Sequence, residues 1–162
     1  MKRYSILRCN IEEQWTAMTD IGKEYSGNKL TVARYLDTEN AYVSAINLII
    51  SYMNINKFRI NNLYKEKDIT PLVVNRPELI NLYTPTILKT YKNVNEKKEF
   101  GLTTLRNLIR LELREDVGGL IYVPYRMKLY IGYDYMMGID TSVDLSNIYP
   151  QINKLGIKLQ CY

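Results

Sequence analysis

The sequence contains no histidine and only two cysteines in 162 residues. Histidine is the side chain most often used as a general base, and it is a common metal ligand. Its absence excludes Ser-His-Asp and Cys-His arrangements, HExxH zinc sites and histidine-based phosphoesterases. Cys9 and Cys161 lie near opposite ends of the chain, so they predict two reduced, half-buried thiols and no structural zinc site. These absences favour a binding protein over an enzyme.

Long hydrophobic runs and phosphate-binding loops are also missing. The longest apolar runs, such as AINLII at residues 45–50, are far shorter than the roughly 20 residues that cross a bilayer. The N-terminal residues lead directly into an alternating segment, which does not resemble a secretory signal. Neither GxxxxGK[ST] nor GxGxxG occurs. We therefore expect a cytoplasmic protein with no membrane partner, no metal and no cofactor.

The net charge of +5 is concentrated in one part of the chain. Lys and Arg number six, nine and seven in residues 1–53, 54–98 and 99–162, and Asp and Glu number six, four and seven. The basic middle segment could bind phosphates or an acidic partner, but a solvated surface is the favoured interpretation. Its cations are Lys57, Arg59, Lys65, Lys67, Arg76, Lys89, Lys92, Lys97 and Lys98.

The size and the apolar patterns predict one α+β domain over residues 1–162. Its sheet is expected to be mostly antiparallel and in the C-terminal half, with two amphipathic helices in the N-terminal third and a short C-terminal helix. The first helix starts at Asn10 and ends near Gly27, and the second runs from Asp37 or Thr38 to Met53. Strands are predicted at residues 2–9, 30–36, 57–64, 109–113, 120–123, 127–137 and 157–162.

Three further features complete the expected organisation. Residues 65–100 are predicted to be irregular with a short helix at residues 78–83, since three prolines interrupt the apolar runs. Gly118-Gly119 indicates a hairpin turn. The C-terminal helix carries an apolar stripe that ends at Gly156.

Six carboxylates are concentrated in the final third: Glu112, Glu115, Asp116, Asp134, Asp140 and Asp144. Acidic side chains on adjacent strands could bind Mg²⁺ or Mn²⁺ and support phosphoryl transfer. Equal numbers of acids and bases are interleaved there, so pairing with arginines across the sheet is the favoured interpretation.

Residues 120–139 are dense in tyrosine and methionine, and they alternate. If residues 125–135 are extended, one face is apolar and the other carries Tyr130 and Asp134 beside Arg126 and Lys128. Such a mixture is common at protein interfaces and could also stack nucleotide bases. The alternative is that the fifteen tyrosines serve as general, half-buried filler.

Three segments carry a resemblance to a known class of protein. They are LRNLIRLELRE at residues 105–115, KLYIGYDYMMGI at residues 128–139, and LGIKLQCY at residues 155–162 after a short helix. This final third resembles small bacterial immunity proteins encoded beside toxins, as in contact-dependent growth inhibition. The pattern departs at Met137 and Gly138, and Gly118-Gly119 stands where a bulkier residue is expected. The resemblance implies a cytoplasmic protein that blocks the active site or substrate surface of a cognate toxin domain, for example a nuclease.

The first hypothesis is accordingly a toxin-neutralising protein whose affinity survives salt. A nucleic-acid-binding module using the basic middle segment is the second, and it predicts affinity that falls steeply with salt. A metal-dependent phosphoryl-transfer enzyme is the third. For the first hypothesis, the predicted partner-binding residues are Glu112, Glu115, Asp116, Tyr130, Asp134 and Tyr135. An acidic face on the first helix, with Glu12, Glu13, Asp20 and Glu24, is an alternative.

Overall fold

Six strands of the described chain form one antiparallel sheet. The structure is a computed structural model that describes residues 1–9, 17–65, 69 and 75–162. The six strands are β1 (Lys2–Arg8), β4 (Arg59–Lys65), β5 (Val117–Val123), β6 (Met127–Ile131), β7 (Met137–Thr141) and β8 (Ile157–Cys161). Across the sheet their order is β4-β5-β6-β7-β1-β8, and β2 (Glu24–Tyr25) and β3 (Asn28–Lys29) form a separate hairpin. The α+β class and the antiparallel sheet are as predicted.

The helices cover one face of the sheet. They are α1 (Val32–Tyr52), α2 (Pro85–Asn93), α3 (Leu102–Leu113) and α4 (Tyr149–Asn153), with a 3-10 helix at Pro77–Leu82 before α2. Alternate strand residues such as Ile6, Leu129 and Ile139 are fully buried beneath them. Lys128 and Tyr130 lie on the opposite face and are exposed. This alternation is the expected pattern for an antiparallel sheet with one covered face.

The long helix α1 begins earlier than predicted. Residues 30–36 were expected to form a strand, but the helix starts at Val32, where the Thr31 hydroxyl accepts a hydrogen bond from the Arg34 amide at 3.2 Å. The predicted start at Asp37 or Thr38 is therefore wrong. Tyr35 belongs to the buried stripe of α1 together with Tyr42. A threonine cap thus overrides the β propensity of the segment.

Residues 109–113 form part of α3 and not a strand. The buried positions Leu105, Leu108, Ile109 and Glu112 recur at helical spacing. The alternation of Ile109, Leu111 and Leu113 is misleading, because the end of this helix is buried on more than one side and all three residues are in the core. The predicted cross-strand pairing of its arginines and carboxylates is lost with the strand.

The two glycines 118 and 119 lie within β5 and do not form a turn. A Cβ on Gly118 would lie 2.1 Å from the Tyr64 ring, and one on Gly119 would lie 2.7 Å from Ile60. The glycines therefore admit side chains of the neighbouring strand. The chain reverses instead between β5 and β6 at Tyr125, where φ is +59°.

The predicted strand at residues 127–137 is interrupted. Strand β6 ends at Ile131, a 3-10 turn spans Tyr133–Tyr135, and β7 begins at Met137. Alternation holds within β6 but stops at this turn, so Tyr133 and Asp134 do not lie on the predicted sheet faces.

Other predictions are tested in part. The strand predicted at residues 57–64 is the edge strand β4, and α2 is an addition to the predicted irregular segment. Residues 10–16, including Glu12, Glu13 and Trp15, lie outside the described residues. After them the structure has a 3-10 helix at Met18–Asp20 and the β2-β3 hairpin, whereas the sequence predicts that the helix continues to Gly27.

Both cysteines are exposed, which corrects the expectation of half-buried thiols. Within the described residues, no helix is long and apolar enough to cross a membrane.

Candidate functional site

A small recess lies where α3 ends beside the ends of β4 and β6. Its volume is about 30 Å³. It is lined by Tyr64, Glu112, Glu115, Val117, Ile131, Gly132 and Tyr133. Two tyrosines and two carboxylates therefore meet in one place although they come from three segments of the chain. We call Tyr64, Glu112, Glu115, Tyr133 and the neighbouring Met136 the tyrosine–carboxylate corner.

Glu112 is the most unusual residue of the corner. Its side chain is only 3% exposed, and among the described residues neither carboxylate oxygen has a hydrogen-bond partner. Burial raises the pKa of this carboxyl group well above its ordinary value, since a desolvated carboxylate is unfavourable. Glu112 also lies in the last turn of α3, where the helix dipole presents its negative end. Glu112 is therefore a buried carboxyl group to which no described residue donates a hydrogen bond.

Tyr64 forms one side of the recess. Its ring occupies the space above Gly118, where any Cβ would collide with it, and the bulge in β4 around Asn62 positions the tyrosine opposite that glycine. Tyr64 nevertheless remains 53% exposed. Its hydroxyl pKa is raised by burial, by the neighbouring Tyr133 and by the carboxylates of Glu112 and Glu115. These electrostatic effects place the four groups in one environment.

The turn between β6 and β7 supplies the other side. Asp134 and Tyr135 both have positive φ, 54° and 58°, a conformation that non-glycine residues adopt at a cost. The turn is closed by hydrogen bonds from the Gly132 amide to the Met136 carbonyl at 2.8 Å and from the Met136 amide to the Tyr133 carbonyl at 3.0 Å. Tyr133 and Met136 are consequently held outward, 63% and 67% exposed.

A buried ion-pair network supports α3 behind the corner. Glu39, fully buried on α1, accepts hydrogen bonds from Arg114 Nε at 2.8 Å and Nη2 at 2.7 Å, and from Arg110 Nη1 at 2.6 Å. Arg114 also donates to the Leu82 carbonyl at 2.5 Å. These bonds tie α1, α3 and the segment before α2 together. They fix the end of α3, and with it Glu112 and Glu115.

Two predicted partner-binding residues, Asp116 and Tyr135, belong to this buried support. Asp116 is 6% exposed and accepts a hydrogen bond from the Tyr83 hydroxyl at 2.8 Å. Tyr135 is 7% exposed, and its ring packs 5.1 Å from that of Tyr42. Both side chains are therefore mostly covered by other described residues, and their assignment to a recognition surface stays a prediction.

The remaining predicted residues fall in two places. Glu112 and Glu115 meet in the corner, and Asp134 is exposed on the adjoining turn. Tyr130 lies on the open face of the sheet, where its hydroxyl donates to Asp140 at 3.0 Å and Arg3 donates to the same carboxylate. The Arg3 guanidinium holds the pKa of Asp140 below its ordinary value. Tyr130 and the corner are thus separate surface features.

The six carboxylates of the final third do not form one cluster. Asp140 pairs with Arg3, Asp144 pairs with Lys2 and accepts from the Ser146 amide at 2.8 Å, and Asp116 is bonded to Tyr83. Within residues 1–9, 17–65, 69 and 75–162, no group of three or more Cys, Asp or Glu side chains is arranged to hold a metal ion.

The cations of the basic middle segment also lie in different surroundings. Arg59 pairs with Glu99 at 2.9 Å, and Arg76 pairs with Glu78 at 2.8 Å. Lys89 and Lys98 line a cavity of about 370 Å³ between α2 and α3. Lys67 lies outside the described residues.

The sequence does not predict Tyr64, Tyr133 or Met136 as site residues. Its alternation places Tyr133 on the apolar face of a continuous strand, and Tyr64 lies in the strand predicted at residues 57–64. Gly118-Gly119 is the sequence feature that points to Tyr64, because glycines within a strand indicate close approach of a neighbouring side chain. Comparison with family models, curated proteins and solved structures gives no significant match.

Proposed function

We propose that this chain is an immunity protein that binds a cognate toxin domain through the tyrosine–carboxylate corner and covers that domain's active or substrate-binding surface. One observation carries the proposal. Tyr64 and Tyr133 line the recess that contains Glu112 and Glu115, Met136 lies on the same turn as Tyr133, and all three side chains are more than half exposed. Tyrosine and methionine are enriched at the centres of protein interfaces, and large exposed aromatic side chains serve there as anchors.

The charge of the corner fits this function. Although the chain carries a net charge of +5, the recess is lined by two carboxylates. A basic surface on a toxin, such as one that holds nucleic-acid phosphates, would be complementary to this region. Glu112 and Glu115 therefore offer acceptor oxygens to a basic partner although the chain as a whole is basic.

The contacts that hold the tyrosine–carboxylate corner in place are also consistent with a binding function. Arg114 and Glu39 hold the end of α3 from within, and the β6-β7 turn is closed by two backbone hydrogen bonds. Side chains presented from such fixed positions lose little conformational freedom on binding. Preorganisation of this kind favours tight association.

The test is co-expression with the toxin domain encoded by the reading frame next to this gene. The chain should restore growth of cells that produce the toxin, and the two proteins should co-elute as a stoichiometric complex. Tyr133→Ala should weaken the complex by about 30-fold, the loss typical of an interface anchor. Tyr125→Ala is the matched control, because Tyr125 is 95% exposed on the turn at the other end of β6.

Two results contradict the proposal. If the chain neither restores growth nor binds the neighbouring gene product, the immunity function is wrong. If Tyr125→Ala weakens the complex as much as Tyr133→Ala, the corner is not the docking surface.

A further inference from the structure

The recess at Glu112 has the dimensions of a single small polar group. Its volume of about 30 Å³ exceeds the roughly 10–15 Å³ that one water molecule needs. An ammonium group is about as large as a water molecule, whereas a planar guanidinium is considerably larger. The recess therefore fits the end of a lysine side chain better than that of an arginine.

The residues that line the recess favour a cation as the bound group. Glu112 supplies two acceptor oxygens without a partner among the described residues, and Glu115 adds a second carboxylate. Tyr64 and Tyr133 also line the recess, and an ammonium ion is attracted to the ring faces and to the hydroxyl oxygens of tyrosine. The C-terminal end of α3 adds the negative end of its dipole. Every lining group with charge or polarity therefore acts in the same direction.

We propose, on the basis of the immunity function inferred above, that the recess receives the ε-ammonium group of one lysine of the toxin domain. Glu112 accepts its hydrogen bonds from below, Glu115 neutralises it at the side, and Tyr64 and Tyr133 enclose it. The lysine thereby satisfies the buried carboxylate that the free chain leaves without a partner.

Binding of this lysine is coupled to a proton. The groups that face Glu112 are Glu115 after α3, Tyr64 on β4 and Tyr133 on the β6-β7 turn. Burial raises the pKa of the Glu112 carboxyl group, because desolvation disfavours its charged form. An ammonium ion beside it favours the carboxylate and lowers this pKa, so at pH values between the pKa of the complex and that of the free chain, binding releases the Glu112 proton to solvent and leaves a carboxylate–ammonium pair.

The first experiment uses the free chain and n-butylammonium chloride as the probe. Two-dimensional NMR should show shifts of the Tyr64 and Tyr133 ring resonances as n-butylammonium is added. Tetramethylammonium has the same charge but is larger and has no N–H donor, so it should produce no such shifts. Glu112→Gln should abolish the response, and Glu99→Gln, an exposed carboxylate beside Arg59, should keep it. Equal responses to both cations, or an unchanged response in Glu112→Gln, would overturn the proposal.

The second experiment uses the complex with the toxin domain. A double-mutant cycle combines Glu112→Gln with replacement of each toxin lysine by glutamine in turn. One lysine position should show strong coupling, and Glu112→Gln alone should weaken the complex by about 30-fold. Calorimetry in buffers of different ionisation enthalpy should show proton release that is absent with Glu112→Gln.

The two experiments separate the two proposals. Absence of growth rescue and of a complex refutes the immunity function, whatever the NMR titration shows. A stable complex whose affinity is unchanged by Glu112→Gln refutes the lysine site and leaves the immunity function intact. Binding of n-butylammonium together with coupling to one toxin lysine supports both.

Discussion

Replacement of Glu112 by glutamine should stabilise the free protein, and by an amount that depends on pH. Glu112 is 3% exposed without a hydrogen-bond partner among the described residues, and burial raises its pKa in the folded state. In the unfolded chain its pKa is about 4.3. Above that value the unfolded state loses this proton while the folded state retains it, so the free energy of unfolding falls as the pH rises until the raised pKa is passed.

The magnitude follows from proton linkage. One proton held by the folded state alone changes the free energy of unfolding by about 1.4 kcal/mol per pH unit. Two pH units between about pH 5 and about pH 7 set an upper bound of about 3 kcal/mol on the loss through Glu112. For a domain of this size, 1 kcal/mol corresponds to roughly 2–4 °C, so the Tm difference between the variant and the wild type should grow by up to about 5–10 °C.

Thermal unfolding followed by circular dichroism measures this difference at a series of pH values. The comparison is the Tm of Glu112→Gln minus that of the wild type, because all other titrating groups cancel. A difference that does not vary with pH would show that the buried carboxyl group of Glu112 is not desolvated as the structure indicates.

Three further substitutions test the surroundings of the site. Glu39→Gln should lower the free energy of unfolding by about 3–5 kcal/mol in chemical denaturation, because it leaves the buried Arg114 guanidinium unpaired, and a loss below about 1 kcal/mol would contradict this. Gly118→Ala should displace the Tyr64 ring by its Cβ and weaken the toxin complex, while an unchanged affinity in titration calorimetry would show that the ring position is unimportant. Asp140→Asn should cost at most about 1 kcal/mol at neutral pH, since its partner Arg3 is exposed. That cost should vanish in acid, because the folded-state pKa of Asp140 is lowered and its contribution is lost as the pH falls through that value.

The fold class could be predicted from composition and pattern, but the helix and strand assignments could not all be made. Alternation identified β1 and β6 because each has one buried and one exposed face. It failed at α3, where Leu111 and Leu113 are buried in addition to the helical stripe of Leu105 and Ile109. A helix end buried on several sides carries no single periodicity, so the local pattern cannot separate it from a strand.

The candidate site was predictable only as a set of residue types. The carboxylates of the final third and the nearby tyrosines were identified, but sequence order does not reveal which of them are buried. Asp116 accepts a hydrogen bond from Tyr83, which lies in the segment 65–100 that the sequence predicts to be mostly irregular. Tyr64 reaches the recess only because Gly118 has no side chain. Both contacts depend on tertiary packing between segments far apart in the chain.

The contrast between the two buried glutamates on these packed helices is the main reason to assign Glu112 to binding. Glu39 is fully buried and accepts three hydrogen bonds from Arg110 and Arg114. This buried carboxylate therefore has cationic partners that stabilise it. Glu112 is buried to a similar extent and has no such partner among the described residues. Local inconsistencies of this kind are expected where function, and not folding, determines the residue. A packing defect and a binding site make different predictions here. Glu112→Gln should stabilise the free protein in both cases, but only a binding site requires that the same substitution also weaken the complex.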